Sequence, residues 1–401
     1  MIGIGVDSES DSQTGGSGAD STCDPSLIRQ LRWAMCRRAS PLTLSARGRI
    51  LATMLKGVVT LSGVFVAGIA VAALQKSDLD CQNTVCDIAL TKVVALKDNA
   101  PRRLGDYSVF VLRDRSGRFF AATRDRRGIV VFSPTGSIQT TLEHPDFQRI
   151  QAVPGVGESI LIHDYQRHEL RTVSRDLAVG SALALRFAPA FATTKGHFIV
   201  AQQMRTPEHV GYPLHLVDAH GRIVRSFGID SPKFHGGMHR VDNRVVSPAS
   251  DGSVWAAAPG RYVLERWDPV SGVRLARLQV QSKWFVESSN APDERLAPTP
   301  LIEALWEKDG VLFVLARVSD ADWKAPAHPN TERSFNLDEY ERTYDWVVEA
   351  VAPDSGRVLA HRRLATAHWT RPASGLLVSR ASRSDGTTVA FDVWTAQLSR
   401  K

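Results

Sequence analysis

The chain has 401 residues, 43% of them hydrophobic and 23% charged, with four cysteines and a formal net charge of +7. That balance belongs to a folded chain and excludes a wholly disordered polymer, a collagen-like chain and a multi-span membrane protein. Four cysteines exclude a disulfide-dense miniature scaffold, and a charge of +7 over this length is too thin for a nucleic-acid groove, so no nucleic-acid partner is expected.

The N-terminal residues concern placement. Residues 1–22 are rich in Ser, Gly and Asp and carry acids without a base, a composition that cannot offset its own ordering entropy. Residues 23–56 then concentrate Arg29, Arg32, Arg37, Arg38, Arg47, Arg49 and Lys56 against Asp24 alone. Residues 1–56 therefore form a disordered and basic segment, expected in the cytoplasm. Residues 57–75 contain no charge and lie between Lys56 and Lys76. Their length suits one membrane-spanning helix, and the basic cluster before them keeps the N-terminus inside. Read from Met54, the same run is a secretory signal with a small-residue site near Ala70-Val71-Ala72. Anchor or cleaved signal, either places the rest of the chain outside the cytoplasm, in the membrane-anchored case through residues 57–75.

Residues 76–86 form a linker with Cys81 and Cys86, whose spacing closes a small disulfide loop in an oxidising compartment. From residue 87 onward one layout repeats: Gly, a short apolar strand, a second strand ending in a Gly turn, and a third strand. The leading glycines are Gly117, Gly157, Gly196, Gly252 and Gly310, spaced by 40, 39, 56 and 58 residues. The turn glycines are Gly136, Gly180, Gly221, Gly272 and Gly356, each expected at a position of positive φ. A sixth unit starts at Gly375, turns at Asp385-Gly386 and stops one outer strand short. The strand-like stretch 88–96 (IALTKVVAL) is expected to supply that strand and close the ring. The period and the short strands predict an all-β, six-bladed β-propeller over residues 87–401.

The recurring unit, seen in SGRFFAATRDRRGIVVFSPTGSI and DGSVWAAAPGRYVLERWDPVSGVRL, resembles the six-bladed β-propellers of the NHL-repeat type, especially bacterial exported, membrane-anchored proteins of that group. The resemblance covers residues 87–398 and implies a binding or scaffolding module at the cell envelope. Its partner would be a protein, a glycan or a small molecule. Other propellers of this shape are metal-dependent, lactonase-like hydrolases or lyases, and that is the alternative.

Local chemistry is sparse. His235 and His239 stand at i, i+4 in KFHGGMHRVDN, but the two glycines between them oppose the helix that would aim both at one metal. No metal and no cofactor is expected. Gly155-Val156-Gly157 precedes no helix and is expected as a plain hairpin turn. Trp255, Trp267, Trp306 and Trp346 are expected to pack between blades. The largest irregularity is in the fifth unit, whose two glycines lie 46 residues apart against 19 to 25 elsewhere. The excess carries Trp323, Tyr340 and Tyr344 among charges, a mixture suited to an interface core with a polar rim. These aromatics, with His235 and His239, are the candidate binding residues, and residues 320–343 are expected to be dispensable for folding. A shorter excursion, residues 281–300, joins units four and five.

Overall fold

The structure is a computed structural model of the chain. It describes residues 81, 85–98, 104, 110–202, 204, 206–230, 244–286, 297–325, 337–366, 368–370, 374–381 and 389–400. Residues 1–56, the apolar run 57–75, His235, His239 and the turn Asp385-Gly386 lie outside the described residues. Among the described residues, no helix is long and apolar enough to cross a membrane.

The described chain builds six four-stranded antiparallel sheets. The first strand, β1 (Cys86–Asp98), belongs to the last sheet. Blade one holds β2 (Val111–Arg113), β3 (Phe119–Ala122), β4 (Gly128–Phe132) and β5 (Ile138–Glu143). Blade two holds β6 (Ile150–Pro154), β7 (Ile160–Asp164), β8 (Glu169–Thr172) and β9 (Leu183–Ala184). Blade three holds β10 (Phe191–Ala192), β11 (Phe198–Ala201), β12 (Leu214–Val217) and β13 (Ile223–Phe227). Blade four holds β14 (Val245–Pro248), β15 (Val254–Ala257), β16 (Val263–Trp267) and β17 (Arg274–Gln279). Blade five holds β18 (Leu301–Lys308), β19 (Val311–Ser319), β20 (Tyr344–Val351) and β21 (Val358–Leu364). Blade six holds β22 (His368–Trp369), β23 (Leu376–Arg380), β24 (Val389–Arg400) and then β1. β1 pairs with β24 from Cys86 opposite Arg400 to Asp98 opposite Val389.

Middle strands such as β4 and β15 are buried along their whole length, because β-branched and aromatic side chains on both faces meet a neighbouring sheet. Fourth strands such as β17 alternate half-buried and exposed residues. The apolar interior falls into six clusters, each shared by two successive blades. One joins Trp306, Phe313 and Val348 of blade five to Ile88, Leu377 and Ala396 of blade six. The next joins Leu96, Phe391 and Val393 of blade six to Phe119 and Val130 of blade one. Trp255, Trp267, Trp306 and Trp346 are all buried in such inter-blade clusters.

The turn glycines have a tertiary reason. Gly136 has φ +85, and a Cβ there would lie 2.0 Å from the Ala95 carbonyl oxygen of β1. Gly221, Gly272 and Gly356 likewise press on the fourth strand of the preceding blade or the residue after it. Gly180 departs from the expectation. The left-handed residue of its turn is Leu177, φ 65, because the Leu177 amide closes the turn on the Ser174 carbonyl three residues ahead of the glycine. Gly180 instead abuts its own blade, where a Cβ would meet Thr172 Oγ1 at 2.5 Å.

Alternating strand direction sorts the connections onto two faces. First-to-second and third-to-fourth turns lie at one end of every sheet. Second-to-third turns and blade-to-blade connections lie at the other. On the first face the longest connection is residues 173–182. The second face receives every longer one: 99–110, 202–213, 228–244, 280–300 and 320–343. We call the first the turn face and the second the loop face. β1 starts on the turn face, where Cys81 and Cys86 are disulfide-bonded with a Cα–Cα distance of 5.7 Å. Arg357, in a turn of that face, donates from Nη1 to the Cys81 carbonyl.

Candidate functional site

The blade-five segment leaves the loop face between β19 and β20. Its stem is tied: the Asp320 amide donates to the Thr343 carbonyl, and buried Asp345 accepts from the Ala321 amide at 3.3 Å and from Arg363 Nε at 2.6 Å. A short helix, α1 (Leu337–Thr343), leads back into β20.

Arg317 of β19 is the centre of this region. Its Nη1 donates to the Tyr340 hydroxyl at 2.9 Å, and its Nε faces Glu303 Oε1 at 3.1 Å. The guanidinium carbon lies 4.6 Å from the Tyr344 ring centroid and 5.6 Å from that of Tyr340. Glu303 is the extra residue of a bulge in β18, the first strand of the blade. Burial raises the Glu303 carboxyl pKa, and Arg317 only partly offsets it. Burial also raises the Tyr340 hydroxyl against the pull of Arg317. Burial would lower the Arg317 guanidinium, but Glu303 and the two tyrosines more than reverse that, so it stays charged.

Tyr340 and Tyr344 are thus brought together, with ring centroids 5.0 Å apart, and Tyr340 also packs on the cluster between blades five and six. Trp323 is half-buried in a turn closed by its own amide on the Asp320 carbonyl. The segment is therefore less separable from the fold than its length suggests. Its last residues, Tyr340 among them, form part of the blade. Glu303 and Arg317 were not singled out in the sequence, because a charged residue inside a strand pattern gives no sign that a bulge will turn it toward a partner.

The start of the 281–300 excursion is held in the same way. Glu349 of β20 is 1% exposed. It accepts from Tyr262 at 2.5 Å, Ser282 at 3.0 Å and Trp284 Nε1 at 2.6 Å. Burial, then the charge of Glu349, pushes the Tyr262 hydroxyl far above the ordinary phenol range. Tyr262, Trp284 and Phe285 pack ring against ring.

Blade three carries a buried histidine relay. His215 Nε2 lies 3.1 Å from the Gln202 carbonyl and so carries the proton. Its Nδ1 accepts from Ser226 Oγ at 2.8 Å, and Ser226 Oγ in turn accepts from His209 Nδ1 at 2.9 Å. This relay fastens residues 202–213 to the sheet. Burial, aided by His209, lowers the His215 pKa from 6.5 to about 4. Between those values the unfolded chain holds a proton that the folded chain refuses, so stability falls as the pH drops from 6.5 toward 4. The full loss is about 3 kcal/mol. Asp114, Asp164 and Asp218, whose pKa values lie below 3.8, lose their contributions only at lower pH. Urea midpoints of the native chain should therefore drop between pH 7 and pH 4.5, and those of His215→Gln should drop less. Parallel declines would remove His215 as the cause.

Among the described residues, no three or more His, Cys, Asp or Glu side chains converge as a metal site requires.

No protein-family model and no curated protein matches this sequence. Solved structures do share its fold. A member of the DUF4221 family from Bacteroides vulgatus superposes with a TM-score of 0.51 at 11% identity, over 79% of this chain and 99% of that one. A Bacteroides fragilis protein named an exported protein superposes with a TM-score of 0.50 at 9% identity, over 78% and 95%. A virginiamycin B lyase from Staphylococcus aureus reaches only 0.40 at 8% identity, a level that carries no argument. At these identities the likeness is one of fold alone.

Proposed function

We propose that this chain is an exported binding or scaffolding module of the cell envelope, a propeller of the NHL-repeat kind that captures a protein, glycan or small molecule on its loop face. The observation that carries this reading is the sorting of the connections. All five longest segments emerge on one face, and short turns occupy the other. Long loops on a rigid scaffold are where binding concentrates. The apolar run 57–75 supplies the anchor or export signal. Within the loop face, Tyr340 and Tyr344 supply aromatic anchors beside Arg317, and Trp323 sits in the turn at the start of the same segment; these are residue types that carry most binding energy in interfaces.

Two measurements test this. A reporter active only in the cytoplasm, fused after Lys401, should be silent, and strong activity would overturn export. Envelope extract passed over the immobilised full chain should yield a partner that is lost when residues 325–336 become a short Gly-Ser link, with the melting temperature unchanged. Retention of the partner by the shortened chain would move the site elsewhere on the face.

A further inference from the structure

We propose that the loop face at the boundary of blades one and two is an arginine cradle for an anionic polysaccharide, a chain bearing repeated sulfate, phosphate or carboxylate groups. Three connections meet there: residues 123–127, 144–149 and 165–168. They carry Arg124, Arg126, Arg127, Arg149 and Arg167, all exposed. Among the described residues, Arg124, Arg126, Arg127 and Arg149 have no carboxylate within 4 Å, whereas Arg118, Arg222, Arg266, Arg317 and Arg363 of the blades are each paired. Arg167 reaches Asp146 and Glu169 only at 3.5 Å.

Two of the three acids within these turns are occupied in shaping them, and the third, Asp146, is half-exposed at 3.5 Å from His144 and from Arg167. Asp164 is 2% exposed and accepts from the amides of Gln148, Gln166 and Arg167 at 2.9 to 3.1 Å. One buried carboxylate thereby clamps the Arg149 connection to the Arg167 turn. Asp125 accepts from Thr123 Oγ1 and the Arg127 amide, and those bonds lower its pKa.

Two of the guanidiniums are held in place in advance. Arg126 Nη1 donates to the Tyr165 hydroxyl at 2.6 Å. Its guanidinium lies 6.0 Å from the Tyr165 ring centroid, and that of Arg149 lies 5.6 Å from it. Holding two cations by one ring lowers the side-chain entropy lost on binding, and planar guanidiniums match sulfate, phosphate and carboxylate oxygens in pairs. Arg126 also sits at φ 57, a backbone region that glycine or asparagine occupies at less cost.

The partner's class follows from what the cradle lacks. No exposed large apolar residue lies in these three connections, so there is no wedge for a bilayer. Tyr165 is engaged by two cations and is not a free platform for a nucleobase. What remains is charge recognition of a repeating anion by a cluster of arginines. The cradle is built without the blade-five segment and does not depend on it.

The test uses dextran sulfate and the full chain. Binding should weaken at least tenfold in Arg124→Gln/Arg127→Gln/Arg149→Gln, with the slope of log affinity against log salt reduced by about two to three. Arg115→Gln/Arg175→Gln/Arg225→Gln, which removes exposed arginines elsewhere, should leave binding nearly intact. Arg126→Gly should melt no lower than the native chain and yet bind more weakly, which separates function from folding. Replacing residues 325–336 should not alter dextran sulfate binding. Equal weakening by the control triple would show general attraction to a basic chain and overturn the proposal. Tighter, equally variant-sensitive binding to phosphatidylglycerol vesicles or to a single-stranded oligonucleotide would also overturn it, in favour of a membrane or nucleic acid.

Discussion

A chain that begins at residue 100 is expected to aggregate, or to melt far below one that begins at residue 76. The missing strand, β1, pairs with β24 along its whole length. It also places side chains on both sides of blade six. Cys86 and Ile88 enter the cluster shared with blade five, and Val94 and Leu96 enter the cluster shared with blade one. Ile88 and Leu96 are fully buried. Burial of side chains of this size contributes about 2 kcal/mol each, so losing four of them removes on the order of 5–8 kcal/mol. That is comparable to the whole stability of an ordinary domain. The loss also leaves β24 as a long open edge, a template for pairing with another chain. Adding a peptide of residues 81–98 in trans should restore a soluble, cooperatively melting protein. Equal melting of the two chains would show that the ring does not need β1.

Glu349→Ala is expected to destabilise the propeller by about 4 kcal/mol, because it strips buried Tyr262 and half-buried Ser282 and Trp284 of their shared acceptor, and each orphaned donor costs about 1–3 kcal/mol. Those donors come from the β15–β16 turn (Tyr262) and the blade-four-to-five connection (Ser282, Trp284), so one carboxylate ties blade five to both. Glu349→Gln keeps one acceptor oxygen and the shape, and should cost less than half as much. Adding Tyr262→Phe to Glu349→Ala should recover part of the loss, since one orphaned hydroxyl is gone. Denaturant midpoints of the native chain, Glu349→Ala, Tyr262→Phe and the double variant form the double-mutant cycle. A Glu349→Ala midpoint within experimental error of the native one would sink the assignment.

The glycine period was legible because each unit must turn sharply at the same places. The leading glycines Gly117, Gly157, Gly196, Gly252 and Gly310 all have positive φ. The role of Trp255, Trp267, Trp306 and Trp346 was legible for a similar reason: a large ring inside a strand with two buried faces has only a neighbouring blade to pack on. The blade-five aromatics were half legible. Their insertion is plain in the spacing, but Tyr340 and Tyr344 turn out to flank Arg317, which lies on a strand more than twenty residues earlier in the chain. The histidine relay left no trace at all, since His209, His215 and Ser226 share no motif and meet only through the pairing of β12 with β13.

By itself the sequence determined the things that depend on local rules: strand runs, Gly turns, the repeat period and the charge-free stretch 57–75. These are set by φ, side-chain shape and transfer free energy, which act within a few residues. Tertiary structure decided where charges and polar groups meet. Gly136 is needed because β1, some forty residues away, passes at 2.0 Å from where its Cβ would be. Glu349 is buried because three donors from another blade and its connection surround it, and among the described residues Arg124 and Arg149 have no carboxylate within 4 Å although acids lie in the same connections. Such contacts are set by which strands become neighbours in the ring, and neighbouring blades bring together residues that have no fixed spacing along the chain.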